Sequence, residues 1–182
     1  MATVTAVGVA GALPSGATPR LSVITPRSVQ RGHEHVLRFH GQRLSETQEV
    51  FLYSPGVEVL EITTVDAQSV DVRIAVAQDC RIGEHLAQLR TSRGISDFRS
   101  FYVGNMPHSN ENEPNNSIRD CQKIEMNRSV LGTIDAEDVD VFEVTCSSGQ
   151  RLNIEITAIR LGALFDSYIC LLYTSPSPRD RG

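Results

Sequence analysis

The sequence predicts an all-β protein of two tandem β-sandwich modules, the first immunoglobulin-like and the second a truncated jelly-roll-like sandwich. Three observations carry that expectation. From Arg20 to Val103 short apolar-polar alternations recur with turn residues between them, the pattern of half-buried strands. Gly104 to Asn112 then breaks the pattern with Gly, Asn, Pro, His and Ser, and a second set of alternations follows it. No substantial helix is expected, only a short turn around Ser117 to Gln122. A length of 182 residues accommodates one medium domain or two small ones.

In the first module, residues 20–103, strands are expected in order at 21–24, 36–39, 49–53, 57–62, 70–76, 85–90 and 98–103. The fifth shows the logic best: Val70, Val72, Ile74 and Val76 share one face, while Asp71 and Arg73 point to the other, so one side is buried and the other wet. Gly32, Gly41, Gly56 and Gly94 supply turns between strands, and Pro26 suits a strand end. Residues 104–112 form a short linker. In the second module, residues 113–169, strands are expected at 129–134, 139–144, 151–156 and 167–169, with Ser147-Ser-Gly-Gln150 as a hairpin turn. Phe142, Val144, Leu152, Ile154 and Ile156 are its expected core face.

Two resemblances sit on these patterns. Ile24-Thr25-Pro26, Gly32, the run Leu37-Arg38-Phe39-His40-Gly41-Gln42-Arg43-Leu44, Gly83 and Phe101-Tyr102-Val103 give residues 20–103 a likeness to the immunoglobulin-like IPT/TIG domains. Ser28-Val29-Gln30 departs from that pattern, standing where such domains often carry a Gly-rich turn. Residues 111–169 resemble the bacterial pre-peptidase C-terminal domain. That likeness rests on Asn110-Glu111-Asn112-Glu113-Pro114-Asn115-Asn116-Ser117, on Gly132-Thr133-Ile134-Asp135-Ala136-Glu137-Asp138-Val139-Asp140-Val141-Phe142, on Gly149-Gln150-Arg151-Leu152 and on the turn at 161–167. It implies a secreted module that binds calcium in some members, with ligands from the acidic linker run and the Asp-rich turn.

Composition narrows the function classes. A formal charge of -5 leaves no basic surface to neutralise phosphates, which argues against a nucleic-acid partner. The 40% hydrophobic residues are dispersed, with no run long enough to cross a membrane. Lys123 is the one lysine against sixteen arginines, a bias that reads as codon composition rather than surface chemistry. Residues 1–19 form a leader or a clipped signal segment: Thr3 to Leu13 is mildly apolar and ends near Pro14, without the positively charged start of a signal peptide. The run Cys170-Leu-Leu-Tyr-Thr-Ser-Pro-Ser-Pro-Arg-Asp180 resembles a translated sequencing-library transposon adapter. Residues 170–182 are accordingly set aside as a non-native tail, the natural chain being expected to stop near Ile169. Cys80, Cys121 and Cys146 then remain, an odd count without CxxC spacing; Cys121 and Cys146 either pair or stay free thiols.

Glu111, Glu113, Asn115, Asn116, Glu137, Asp138 and Asp140 are the candidate metal ligands. Calcium takes 6–8 oxygens in irregular geometry, and these side chains offer oxygens from two segments, with Asp138 and Asp140 on one strand face. The simpler reading needs no ion: the carboxylates solvate a loop, and Asn115 and Asn116 cap the short turn. His33, His35 and His40 are a weaker zinc candidate, with no carboxylate or Cys placed beside them. No GxSxG elbow, Cys-His motif or paired acid points to catalysis, so no enzymatic activity is expected. The expected role is a non-catalytic accessory or binding segment of a secreted bacterial modular protein, spacing or targeting a larger assembly. It would be monomeric, extracellular, periplasmic or at the cell surface, and would engage a protein or polysaccharide surface. The alternative is the accessory part of a secreted peptidase or other hydrolase whose catalytic domain lies outside this sequence.

Overall fold

Each of the seven alternations expected in the first module forms a strand. A computed structural model describes residues 17–134, 138–157 and 167–172. The first module contains β1 (Arg20–Thr25), β2 (Ser28–Gln30), β3 (Glu34–Gln42), β4 (Thr47–Leu52), β5 (Val57–Thr64), β6 (Ser69–Val76), β7 (Gly83–Thr91), β8 (Gly94–Ile95) and β9 (Arg99–Gly104). The two without a sequence counterpart, β2 and β8, are three and two residues long, too short to show a period. They exist because β9 and β7 offer them an edge.

One sheet runs β1-β3-β6-β5 and the other β2-β9-β7-β4, with β8 attached to β7. Lettered A to G in chain order without β2 and β8, the sheets read ABED and CFG, the arrangement of an immunoglobulin sandwich. β2 adds to the second sheet parallel to β9. Pairing follows the apolar pattern: Leu37 lies opposite Val72 and Phe39 opposite Val70, all four fully buried. Leu21, Ile24, Leu37, Phe39, Val70, Val72 and Ile74 from one sheet meet Val29, Ala87, Leu89, Phe101 and Val103 from the other in one core. Burying each large side chain contributes about 1.5–3 kcal/mol, so this cluster dominates the fold's stability.

The wet face of the first sheet is laced by ions. Arg38 donates two hydrogen bonds to Asp71 at 2.6 and 2.8 Å, and Arg73 bridges Glu61 at 3.1 Å and Glu34 at 3.2 Å. The Arg38 hydrogen bond holds the Asp71 carboxyl below its ordinary range. These pairs are solvent-exposed, so they fix register more than they stabilise. Gly41 is required by a close approach, since a Cβ there would lie 1.9 Å from the Arg20 carbonyl oxygen.

The second module differs. Its strands are β10 (His108–Asn110), β11 (Gln122–Ile124), β12 (Ser129–Leu131) and β13 (Phe142–Val144), paired in parallel as β10 with β12 and β11 with β13. β10 lies inside the stretch read as linker. The expected strands at 129–134 and 139–144 shorten to β12 and β13, and residues 151–156 and 167–169 are not in strands. The expected core face is corrected too: Phe142, Val144 and Leu152 are half-buried, whereas Ile154 and Ile156 are 49% and 44% exposed. The cause is physical, because alternation specifies a strand only where a partner edge and a covering layer exist. The turn at 117–120 forms, with Asp120 N–H donating to the Ser117 carbonyl at 3.0 Å. At 147–150 a turn forms, with Gln150 N–H donating to the Ser147 carbonyl at 3.0 Å, but it joins no hairpin because 151–156 is not a strand. Among the described residues there is no helix, and so none long and apolar enough to cross a membrane.

Candidate metal centre

Parallel pairing brings the two acidic segments side by side. Asn110 lies opposite Leu131, so the chains leaving β10 and β12 depart from the same end. Gln122 lies opposite Phe142, so both re-enter β11 and β13 at a common end. Residues 111–121 therefore run alongside the described parts of the second segment, 132–134 and 138–141. Backbone bonds staple them: Glu111 N–H to the Leu131 carbonyl at 2.9 Å, Val141 N–H to the Asn115 carbonyl at 2.9 Å, and Gln122 N–H to the Val141 carbonyl at 2.9 Å. The Gln122 carboxamide adds two bonds, accepting from Asn112 N–H at 2.9 Å and donating to the Asn110 carbonyl at 3.0 Å.

Within this frame each carboxylate has a fixed place. Glu111 accepts the Thr133 N–H at 2.8 Å and the Asn115 side-chain amide at 3.2 Å. Gly132 backs directly onto it, for a Cβ there would lie 2.9 Å from Glu111 Oε2. Glu113 accepts the Asn115 backbone N–H at 2.9 Å, and the Glu113–Pro114 peptide bond is cis. Asp140 stands half-buried just before β13. Oxygens of Glu111, Glu113 and Asp140 all lie within 4.8 Å of one another.

Burial first, then a hydrogen bond shared with Glu111 and the charges of Glu111, Asp138 and Glu113, push the Asp140 carboxyl up to about 6 from an ordinary 3.8. Crowded carboxylates resist a further negative charge. Asn115 is fully buried, and among the described residues its Oδ1 has no hydrogen-bond partner, as is also true of Oδ1 of Asp140. A buried acceptor left without a donor is costly, and a cation is one partner that would satisfy it. The donor set is entirely oxygen and mostly anionic, which suits a hard cation and not zinc.

Of the seven residues selected from the sequence, the structure brings four together: Glu111, Glu113, Asn115 and Asp140. Asn116 is exposed beside them. Asp138 is close enough to raise the Asp140 carboxyl but lies outside the converging trio. Glu137 falls outside the described residues. Sequence reasoning missed the supports, Gln122, Gly132 and the Thr133 N–H, because they act through backbone and amide groups that carry no composition signal.

The other candidates separate. His35 donates from Nε2 to the Gln30 carbonyl at 2.7 Å and its ring stands 6.4 Å from His33, while His40 hydrogen-bonds Thr25 Oγ1 at 3.0 Å. No zinc group forms from them among the described residues. All four cysteines are free thiols. Cys80 is buried 3.9 Å from His85 Nε2, but burial raises its thiol and His85 is also bonded to the Arg81 carbonyl at 2.7 Å. Such a thiol is protonated at neutral pH and packs as a small apolar group.

No family model matches the chain, and no curated protein matches it. Among solved structures it is similar to the Lin-41 filamin domain at 15% identity and a TM-score of 0.35, over 49% of this chain and 99% of that one. It is similar to the SrpA adhesin of Streptococcus sanguinis at 18% identity and a TM-score of 0.33, over 48% of this chain and 58% of that one. A third likeness, at 16% identity and a TM-score of 0.34, is to SGBP-B of the Bacteroides ovatus mixed-linkage glucan utilization locus, solved with a mixed-linkage heptasaccharide; it spans 54% of this chain and 23% of that one.

Proposed function

We propose that this chain is a non-catalytic accessory and binding segment of a secreted bacterial modular protein, in which calcium rigidifies the start of the second module. The first module is then of the IPT/TIG kind and the second of the pre-peptidase C-terminal kind. The observation that carries the reading is the convergence of Glu111, Glu113 and Asp140 around the buried Asn115, whose Oδ1 lacks a partner among the described residues. Glu111 lies in the segment 104–112 and Glu113 just after it, whereas Asp140 precedes β13. Residues that hold one ion in common would therefore tie that segment to the second module.

Glu111, Glu113 and Asp140 would hold the ion through carboxylate oxygens and Asn115 through its amide oxygen, with the remaining positions left to backbone carbonyls and water. The ion supplies positive charge that relieves repulsion among the three carboxylates. Thr133 N–H and the Asn115 amide orient Glu111, and the Asn115 N–H orients Glu113, so the side chains are held in place by the chain itself. Binding to a protein or polysaccharide surface falls to the first module. There Tyr53 and Phe98, 54% and 50% exposed, stand with ring centroids 5.3 Å apart, and the Tyr53 N–H donates to the carbonyl of exposed Leu86 at 3.3 Å. Exposed apolar patches of this kind mark interaction sites.

The test is thermal unfolding in chelator and in millimolar calcium, for the parent chain and for Asp140→Ala. A calcium-dependent rise in the parent that is lost in the variant supports the reading. Superimposable curves for all four samples would remove calcium from it and leave a solvated loop.

A further inference from the structure

We propose that His108 makes the docking of the second module against the first sensitive to mild acid. The three residues 105–107 separate the end of β9 from the start of β10. Across that short connection His108 Nε2 lies 3.0 Å from Ser28 Oγ, so the first side chain of β10 reaches back to β2 of the first module. β2 is itself anchored, with Ser28, Val29 and Gln30 paired in parallel to Tyr102, Val103 and Gly104, and Arg31 N–H bonded to the Gly104 carbonyl at 2.9 Å. On the other side, Ser129 N–H bonds the Pro107 carbonyl at 3.0 Å and His108 pairs with Ser129, which ties the same residue to β12. His108 is thus half-buried between two anchored surfaces.

The charge surroundings are set by histidines. His35, at the start of β3, is the titratable group whose charge acts on His108, and it is held by its bond to the Gln30 carbonyl at 2.7 Å with His33 packed edge-on against it. Arg27 and Arg31 flank β2. Glu34 is engaged by Arg73 at 3.2 Å, and Arg128, before β12, by Glu125 at 2.6 Å. Charging His108 therefore costs the hydration of a cation held half-buried, and the charge of His35 opposes it. Burial and His35 both move the His108 imidazole below its ordinary value. A released His108 faces water and takes up a proton more readily than a docked one. Docking is complete above the ordinary histidine value of about 6.5, and it weakens as pH falls below it.

This inference does not rest on the calcium reading, and the experiment is done in excess chelator to keep the two apart. Amide hydrogen exchange of the peptide spanning residues 105–110, corrected for intrinsic rates, is followed from pH 7.5 to 5.0 in the full chain. Protection should fall with pH by up to about tenfold for each unit that docking lowers the His108 pKa, and His108→Gln should flatten the profile. Asp140 is unchanged in that variant, so pH dependence arising in the acidic cluster would persist in it, and identical profiles for the two chains overturn the proposal. Should His108→Gln fail to dock at any pH, the imidazole of the parent chain is titrated by NMR instead. A midpoint for His108 clearly below that of a free histidine upholds the proposal, and one at or above it overturns it.

Discussion

Sixteen buried apolar side chains, from Leu21 to Val103, form a single core between two sheets in the first module. After Gly104 the sole buried residue among those described is an asparagine, Asn115, and the surrounding order comes from backbone staples, carboxylates and a glutamine side chain. The two regions are both β-structured, yet they are organised by different forces. Apolar burial is non-directional and involves neither a titratable group nor a specific ion. A carboxylate cluster titrates, so the second region should respond to pH and, on the calcium reading, to the ion, while the first should not.

The largest effect that would test this contrast is a core truncation. Phe101→Ala should cost about 3–5 kcal/mol in urea unfolding, since the ring is fully buried between the sheets. Ile154→Ala, removing a side chain that is 49% exposed, should cost no more than about 0.5 kcal/mol. A comparable loss at both positions would mean that the second module has an apolar core after all. Limited proteolysis sharpens the same point: cleavage should begin beyond Gly104 and leave a resistant product near residues 20–104, and equal resistance of both regions would contradict the contrast.

The calcium response comes next in size. A ligand that binds only the folded state at a hundredfold excess over its dissociation constant stabilises by about 2.7 kcal/mol. The gain should appear in probes of the second module, with Phe101→Ala keeping the response where it still folds. A shift seen only in the first module's unfolding would point to a site other than Glu111, Glu113 and Asp140.

What the sequence made legible divides along the same line. Val70, Val72, Ile74 and Val76 announce β6 because one buried face forces strict alternation, and all four are buried. Arg151 to Ile156 alternates just as well, yet forms no strand, because periodicity records which face is apolar and not whether anything covers it. The acidic cluster was readable as a set of oxygen donors on two segments. Which of them converge was not, because that depends on the parallel pairing of β10 with β12, encoded by His108-Ser-Asn110 and Ser129-Val-Leu131 without any regular pattern. Asn116 and Asp138 look equivalent to Asn115 and Asp140 in the sequence, and only the chain's path separates them.

The smallest expected effect isolates the carboxylates from any ion. In chelator, Asp140 titrates near 6 when folded against an ordinary 3.8, so between those values the folded chain holds a proton that the unfolded chain has lost. The contribution of Asp140 to stability is therefore full below 3.8, falls as pH rises through that window and is lost above about 6. Asp140→Asn cannot ionise and keeps one side-chain oxygen and the shape. It should therefore be more stable than the parent in chelator at pH 7, on the order of 1 kcal/mol, and should show no advantage at pH 4. In calcium the order at pH 7 should reverse, because the parent gains an ion that the variant holds less well. Unfolding of both chains at the two pH values, with and without calcium, gives the answer. If Asp140→Asn is less stable than the parent in chelator at pH 7, the carboxylate is engaged in a favourable contact and is not held in a repulsive cluster.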